Sequence, residues 1–294
     1  MINLFTTYYN EKNSERDDEL KECLNINSKL EAINNIYALS EIEKDDFLLN
    51  NDINVIRIFE RPTFNKFFDS INEVTSNDDI NVISNSDIYF DESLNRLNEI
   101  NLTNFCFALT RWDVWNDGRA RLTEISESQD CWIFKGKINI INANIKIGIP
   151  GCDNRLAYEI KEAGYNLTNP SISIRAYHLH ISEYRPNKKN WFFDDYSIGP
   201  PHESIMPDTI ASSCGHGFFN MLKTRNEILE YLYSIKIKRW YKYKTEYKNY
   251  ILAFEYKIPK IVKYYFAYIY YRLPWDRLLI KLISPVYYRD VIKR

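Results

Sequence analysis

Apolar and polar positions over the first ninety residues predict strands and helices in turn. Residues 2–9 form a short β-rich run that predicts a first strand, and the apolar positions between 16 and 30 have helical spacing. Further strands are predicted at 33–39, 54–59 and 80–84, a loop at 40–52, and a helix from 61 to about 74. This alternation is typical of α/β proteins, so we expect a mostly parallel sheet flanked by helices.

The later pattern is less regular. Strands are predicted at 105–113 and 131–134, and residues 173–181 alternate as a strand would. The run 183–215 is rich in Pro and Asn and lacks a period, which predicts a long ordered loop over the site. Residues 221–282 have a helical pattern that two prolines interrupt, so a helical C-terminal appendage is expected.

The charge distribution divides the chain near residue 215. Residues 1–215 carry 34 acids and 21 bases, whereas residues 216–294 carry 6 acids and 17 bases. We therefore predict a domain at 1–215 and a basic, aromatic-rich helical region at 216–294. This region is expected to pack on the domain or on a second subunit; binding to an anionic membrane surface is the alternative. The acidic balance of the rest argues against nucleic-acid binding.

Composition limits the protein class. With 294 residues, 45% of them hydrophobic, the chain can fill one large domain with an appendage. The five cysteines are widely spaced and include no Cys-x-x-Cys pair, which favours reduced thiols in the cytoplasm. No apolar run approaches about 18 residues and no basic segment precedes an apolar one, so we expect neither a transmembrane helix nor a signal peptide.

Residues 148–165 combine a turn with a helix. The Gly-Ile-Pro-Gly turn at 148–151 brings Asp153 to the start of a run with apolar residues at helical spacing, and Gly164 supplies the stop. An aspartate at this position can serve as an N-cap, which is the common role, or as a functional acid. The local sequence leaves both interpretations open.

A second acidic group, Asn85-Ser86-Asp87, follows the strand predicted at 80–84. Ligands of parallel sheets bind beyond the carboxyl ends of the strands, so we expect residues 85–87 to lie at the ligand-binding edge. A turn-forming cluster is the commoner explanation of such a triplet. Asp91 is predicted to be the N-cap of the next helix.

The segment 148–165 resembles that of GT-A glycosyltransferases of the family-2-like group. There, an acidic group precedes a helix reading Asp-Leu-x-x-Arg-Leu-x-x-Ala-Gly-Tyr, and Asp153 falls on the position of the general base. The chain departs from that pattern at Cys152, Asn154 and Arg155. The triplet 85–87 is similar to the Asp-x-Asp motif of the family in an Asn-x-Asp form. The resemblance covers about residues 1–185.

The resemblance implies transfer of a sugar from a nucleotide-diphosphate donor to a hydroxyl of a glycan or lipid-linked acceptor, with inversion. Asp153 would be the base, and Mn²⁺ or Mg²⁺ would be held by Asp87 with His178 or His180, two imidazoles on one face of a strand. His180 is slightly favoured. Histidines on a strand are, however, more often structural.

The remaining candidates are predicted to bind the donor or the acceptor. Donor contacts are expected from Thr6, Tyr8, Arg16, Arg61, Asn85 and Asp87, although either arginine alone is more simply a solvated surface residue. Sugar or acceptor contacts are expected from Arg111, Trp112, Asp113, Asp130 and Asn154, with Trp132 as a core residue.

Other classes remain as alternatives or lack support. A non-catalytic nucleotide-sugar-binding module is the main alternative, and an α/β enzyme using Asp113, Asp130 or Asp153 as an acid–base pair is another. The sequence contains no Gly-x-x-x-x-Gly-Lys-Ser/Thr, Gly-x-Ser-x-Gly or His-Glu-x-x-His motif, so P-loop NTPases, α/β-hydrolases and zincins lack support.

Overall fold

The computed structural model describes most of the predicted domain and a small part of the C-terminal region. The described residues are 1–42, 45–115, 118–123, 125–179, 198–214, 227, 229–231, 233–235, 237 and 238. His180, the first part of the predicted loop, and most of the predicted helices at 221–282 lie outside them.

A seven-stranded sheet forms the centre of the fold, in the order β10-β6-β9-β4-β1-β2-β3. Its strands are β1 Ile2–Tyr8, β2 Asn35–Ser40, β3 Asn54–Arg57, β4 Ile80–Ser84, β6 Phe105–Leu109, β9 Cys131–Lys135 and β10 Asn166–Thr168. All neighbouring strands pair in parallel except β9, which is antiparallel to both β4 and β6. The mostly parallel sheet expected from the sequence is therefore confirmed.

Helices cover both faces of this sheet. They are α1 Ser14–Ser28, α2 Asp46–Asn50, α3 Phe64–Val74, α4 Cys152–Glu162, α5 Ile210–Ser213 and a 3-10 helix at Glu92–Glu99. One apolar core, which includes Leu24 of α1, lies on one face, and a second, which includes Phe67 and Leu156, packs α3 and α4 on the other. The α/β class with flanking helices is thus confirmed.

Several boundaries differ from the predicted ones. The acidic stretch predicted as a loop contains α2, because Asp45 accepts hydrogen bonds from two backbone N–H groups and so caps a short helix. Helix α3 begins after Thr63, its N-cap, so Pro62 precedes the helix instead of standing in its first turn. The N-cap predicted at Asp91 is confirmed, since its carboxylate accepts from the Ser93 N–H.

A second sheet, which the sequence pattern did not predict, packs beside the first. It has four strands in the order β5-β11-β7-β8, namely β5 Ile88–Phe90, β7 Trp112–Val114, β8 Ala120–Leu122 and β11 Ala176–Leu179. The strand predicted from residue 173 begins only at 176, because Ser173 and Ile174 donate backbone hydrogen bonds to Pro170 in a turn. This small sheet carries His178 and Asp113 on neighbouring strands.

The described residues between 227 and 238 are helical, and two of them join the apolar core beside the small sheet. These are Tyr233 and Ile237. Within the described part of the chain, no helix has both the length and the apolar character needed to cross a membrane.

Candidate functional site

A cavity of about 570 Å³ opens at the carboxyl ends of the parallel strands. Residues that follow β1, β2 and β4 line it, including Tyr9, Glu41 and the triplet 85–87. The ends of parallel strands meet at one edge of the sheet, and α/β proteins bind their ligands there. A cavity of this volume is of the size that holds a small-molecule ligand.

Charged side chains dominate the polar part of the cavity wall. The guanidinium-bearing residues are Arg16, Arg61 and Arg111. The carboxylates are those of Glu11, Glu41, Asp87 and Asp130. Leu39, Ile58 and Ile147 add an apolar part. Arginine is suited to planar, two-point contacts with phosphate oxygens, so the wall can hold an anionic, phosphate-bearing ligand beside acceptors for its hydroxyl groups.

Asp87 is the most strongly paired carboxylate of the wall. Its Oδ2 accepts from Arg16 Nη2 and lies 3.2 Å from His178 Nε2. Burial opposes ionisation, but the charges of His178 and Arg16 outweigh it and hold the pKa of Asp87 well below its usual range. Its other oxygen, Oδ1, is buried and has no hydrogen-bond partner among the described residues.

His178 lies between two carboxylates. While Nε2 faces Asp87, Nδ1 lies 3.0 Å from Asp113 Oδ1, and Asp113 also accepts from Thr123 Oγ1 at 2.7 Å. Burial lowers the pKa of His178, but Asp87 and Asp113 outweigh burial and raise it to about 9. The imidazole is therefore cationic at neutral pH, and it holds the small sheet's Asp113 and the cavity's Asp87 in fixed positions.

Arg111 extends this network to Asp130. Its Nε donates to Asp113 Oδ1 at 2.8 Å and its Nη1 to Asp130 Oδ1 at 3.2 Å. Asp130 also accepts from Asn85 Nδ2 at 3.0 Å. Burial raises the pKa of Asp130 despite the opposing charges of Arg111 and His178. The antiparallel strand β9 brings this residue to the site, because the start of β9 lies beside the end of β4.

Asp153 stands in the first turn of α4, two residues after its N-cap Gly151. The N-cap is Gly151 and no side chain caps the helix, so Asp153 does not act as an N-cap. Its Oδ1 accepts from the Cys152 thiol at 3.2 Å. Burial and then the charge of Asp130 raise the pKa of Asp153 to about 7. Asp153 does not line the cavity itself, but it neighbours Asp130, which does.

The structure brings most of the predicted site residues to this one cavity. Those that line it are Tyr8, Arg16, Arg61, Asn85, Asp87, Arg111, Asp130 and His178. Asp87, predicted to hold the cation, lines the same cavity as Asp130, and the charge of Asp130 acts on Asp153, the predicted base. His180 lies outside the described residues.

Besides Asp153, four predicted residues do not line the cavity. Thr6 is buried and does not line the cavity. Trp112 is also buried, and its indole donates to the Ser171 carbonyl at 2.7 Å, so its ring is not available to stack on a sugar. Asn154 donates to the Glu203 carbonyl at 3.0 Å and fastens the segment after residue 198 to α4. Asp113 contacts His178 and Arg111 instead of the cavity.

Some residues of the wall and its surroundings were not predicted from the sequence. Glu41 follows β2 directly, so the rule that ligands bind at strand ends would have identified it. Gly148 has a φ of +72°, and its carbonyl accepts from Arg61 Nη2 at 3.1 Å. In the sequence, only the Gly-Ile-Pro-Gly turn indicated an unusual backbone at this position. The Cys152 thiol beside Asp153 had no sequence signal of this role.

The residues present fit part of a divalent-cation site. The buried, unpartnered Oδ1 of Asp87 is a suitable oxygen ligand, and Mg²⁺ in particular is commonly held by one or two carboxylates together with substrate phosphates. Within the described ranges, no group of three or more His, Cys, Asp or Glu side chains is arranged to hold a metal ion. Asp87 therefore fits a cation that a bound phosphate helps to hold.

Two comparisons with sequences give no relative, since no protein-family model and no curated protein matches this chain. Among solved structures, a mannosyltransferase from Pyrobaculum calidifontis in complex with GDP-Man and Mn²⁺ aligns with a TM-score of 0.42 and 11% identity. That alignment covers 65% of this chain and 58% of the other.

GalNAc-T7 with UDP, GalNAc and Mn²⁺ aligns with a TM-score of 0.40 and 10% identity, over 64% of this chain and 45% of that one. The chain thus matches less than two thirds of either protein's length.

Proposed function

We propose that this protein transfers a sugar from a nucleotide-diphosphate donor to a hydroxyl group of a glycan or lipid-linked acceptor. One observation supports this most: the cavity at the strand ends is lined by three arginines and by Asp130, whose charge, after burial, raises the pKa of Asp153 to about 7. Arginines suit the diphosphate, and a carboxylate that titrates near neutrality suits a general base. Strongly shifted pKa values in a cleft are typical of functional sites.

The donor would lie across the ends of β1, β2 and β4. Residues 7–9 and Glu41 would meet the nucleoside, and Arg16, Arg61 and Arg111 the diphosphate oxygens. Arg61 is exposed, and its contact with the Gly148 carbonyl holds the guanidinium at the cavity wall. Arg16 would keep its hydrogen bond to Asp87, and its positive charge would also attract the phosphate oxygens.

Asp153 would act on the acceptor. Its ionised carboxylate takes the proton of the acceptor hydroxyl, and the hydroxyl oxygen attacks the anomeric carbon from the face opposite the diphosphate. The bond between that carbon and the diphosphate oxygen breaks, and its electron pair leaves with the diphosphate. A single displacement of this kind inverts the anomeric configuration.

We also propose that Mn²⁺ or Mg²⁺ assists this reaction, with Asp87 Oδ1 as the ligand from the protein. Such a cation would neutralise charge on the departing diphosphate. His178 is better suited to hold Asp87 in place than to bind the metal, because both of its ring nitrogens already contact carboxylates, Nε2 that of Asp87 at 3.2 Å and Nδ1 that of Asp113 at 3.0 Å. His180 remains the other proposed ligand.

The first experiment measures donor binding and transfer with the full chain. Calorimetric titration with a panel of nucleotide sugars in Mn²⁺ should identify a donor, and Asp153→Asn should bind it nearly as well while abolishing transfer. Asp69→Asn, which removes an exposed carboxylate on α3, is the control and should change neither. Normal turnover by Asp153→Asn would remove the assignment of the base.

A second experiment tests the metal. Asp87→Ala should weaken donor binding when Mn²⁺ is present and have a much smaller effect in chelator, whereas equal losses in both would argue against ligation by Asp87. Slow hydrolysis of the donor without acceptor would separate an enzyme from a pure binding module. Absence of any nucleotide-sugar affinity would contradict the whole proposal.

A further inference from the structure

A buried cluster of charges lies outside the cavity, where the C-terminal residues meet the domain. Glu230 is only 4% exposed. Its carboxylate accepts from Arg96 Nη1 at 3.0 and 3.2 Å and from Ser173 Oγ at 2.9 Å, and Arg175 Nη2 lies 3.6 Å away. A carboxylate buried to this degree needs such partners, because an uncompensated buried charge is strongly destabilising. Glu230 therefore anchors its helical segment to the domain.

Arg175 connects this anchor to the small sheet. Its guanidinium lies 5.6 Å from the centre of the Trp112 ring. Its Nη1 is 3.5 Å from Asp91 Oδ2, and the same oxygen accepts from the Tyr177 hydroxyl at 2.9 Å. Trp112 and Tyr177 also face each other, with ring centres 6.4 Å apart. A change at Glu230 would thus act directly on the aromatic side of β7 and β11.

The same two strands carry the charged pair of the site on their other side. Tyr177 pairs in register with Trp112, and the next residues, His178 and Asp113, pair in the same way. Successive side chains of a strand point to opposite faces, so the aromatic pair and the charged pair are back to back. Tyr233 of the C-terminal segment packs in the apolar core that contains the aromatic pair.

From these contacts we infer that Glu230 is a positioning residue for the site. It fixes Arg175 and the aromatic face of the small sheet, and through β7 and β11 it sets the position of the His178–Asp113 pair against Asp87. The role of that pair in binding a nucleotide sugar rests on the proposed function; the mechanical link from Glu230 to His178 does not.

The test uses the full chain and the variant Glu230→Gln, which keeps the size of the side chain and removes its charge. The readout is the ring resonances of His178 in ¹H–¹⁵N spectra, assigned with His178→Gln, at a temperature where both proteins are folded. We expect these resonances to shift in Glu230→Gln and the Kd for a nucleotide sugar to rise about tenfold.

Lys238→Ala is the matched control. It removes a second anchor of the same segment, the contact of Lys238 Nζ with Asp208 Oδ2 at 2.5 Å, which does not involve the small sheet. This variant should leave the His178 resonances and the Kd unchanged. If Glu230→Gln does not fold, Arg96→Lys provides a milder change, because it alters a donor to the same carboxylate. It should shift the His178 resonances by a smaller amount.

The outcomes separate the two proposals. Unchanged His178 resonances in a folded Glu230 or Arg96 variant would overturn the positioning role, as would an equal shift in Lys238→Ala. Shifted resonances with unchanged nucleotide-sugar binding would support the positioning role and count against the proposed function.

Discussion

The charge of Asp130 acts on Asp153 and is, after burial, the largest contribution that raises the pKa of Asp153 to about 7. Asp130 itself is held by Arg111 and by Asn85, which contacts it at 3.0 Å. One acid therefore lines the cavity with its oxygens already occupied, while its neighbour remains able to exchange a proton near neutral pH.

This relationship predicts the pH dependence of the reaction. Asp153 acts as a base only when ionised, so kcat/KM should rise with pH through about 7. In Asp130→Asn the repelling charge is gone, the pKa of Asp153 falls, and the rise should move to lower pH. The measurement is the midpoint of the profile, which is independent of any loss in absolute rate. Asp69→Asn should leave the midpoint in place, and an unmoved midpoint in Asp130→Asn would refute the coupling.

The same pKa shift predicts an effect on stability. The pKa of Asp153 is higher in the folded chain than its ordinary value of 3.8, so the unfolded chain loses this proton first as pH rises. The contribution of Asp153 to stability is therefore present at pH 4 and is lost as pH rises through about 7. Asp153→Asn avoids that loss, because the amide stays neutral.

Thermal unfolding at two pH values checks this sign. The melting temperature of Asp153→Asn relative to the wild type should be higher at pH 8 than at pH 4, with the variant the more stable protein at pH 8. The melting temperature of Asp69→Asn relative to the wild type should not be higher at pH 8 than at pH 4. If Asp153→Asn is only as stable as the wild type at pH 8, or less stable, then the ionised, buried Asp153 does not destabilise the folded protein.

The large sheet could be predicted because its strands carry their own signal. Strand β1 is a β-rich run of seven residues and helix α1 spans fifteen, so both are long enough to be identified, and the rule for parallel strands then places residues 85–87 at the ligand edge. The position of Asp130 could not be predicted in this way. It depends on β9 running antiparallel between β4 and β6, and such a pairing leaves no local trace in the sequence.

The small sheet was missed for a related reason. Strands β5, β7 and β8 have three residues each, which is too short for a period to appear. Its central pairing joins His178 to Asp113 across a long stretch of chain. The sequence therefore identified both residues as candidates for chemistry but not as partners of one another.

Gly148 predicts an effect on Arg61. A Cβ at this position would lie 2.5 Å from Arg61 Nη2, and the φ of +72° already disfavours a side chain. Gly148→Ala should therefore displace the guanidinium as well as strain the turn. If Arg61 binds the diphosphate, the displacement should raise the donor Kd about tenfold, since a hydrogen bond to a charged group is worth about 1.5 kcal/mol or more.

Gly164→Ala is the control for backbone strain. Gly164 has a φ of +90°, but a Cβ there would meet no atom within 4 Å. Both variants should lose stability by about 1 to 2 kcal/mol, the cost of a left-handed alanine. Only Gly148→Ala should bind the donor more weakly. Equal affinity in the two variants would remove Arg61 from the donor site.

Arg111 should be far more sensitive to replacement by lysine than a similarly buried arginine elsewhere. Its guanidinium joins Asp113 and Asp130 through two different nitrogens, and an ammonium group cannot span both carboxylates in that geometry. Arg111→Lys removes one of these two charged hydrogen bonds, while Asp113 keeps His178 and Asp130 keeps Asn85, so the free energy of unfolding should fall by about 2 kcal/mol. Arg155→Lys is matched in exposure, 27% against 24%, but among the described residues Arg155 contacts a single carboxylate, that of Glu159 one helical turn away. Glu159 is itself buried, but a lysine at 155 can still reach it across one helical turn, so that variant should lose less than about 1 kcal/mol. Urea unfolding measures both, and similar losses would show that Arg111 does not act as a bridge.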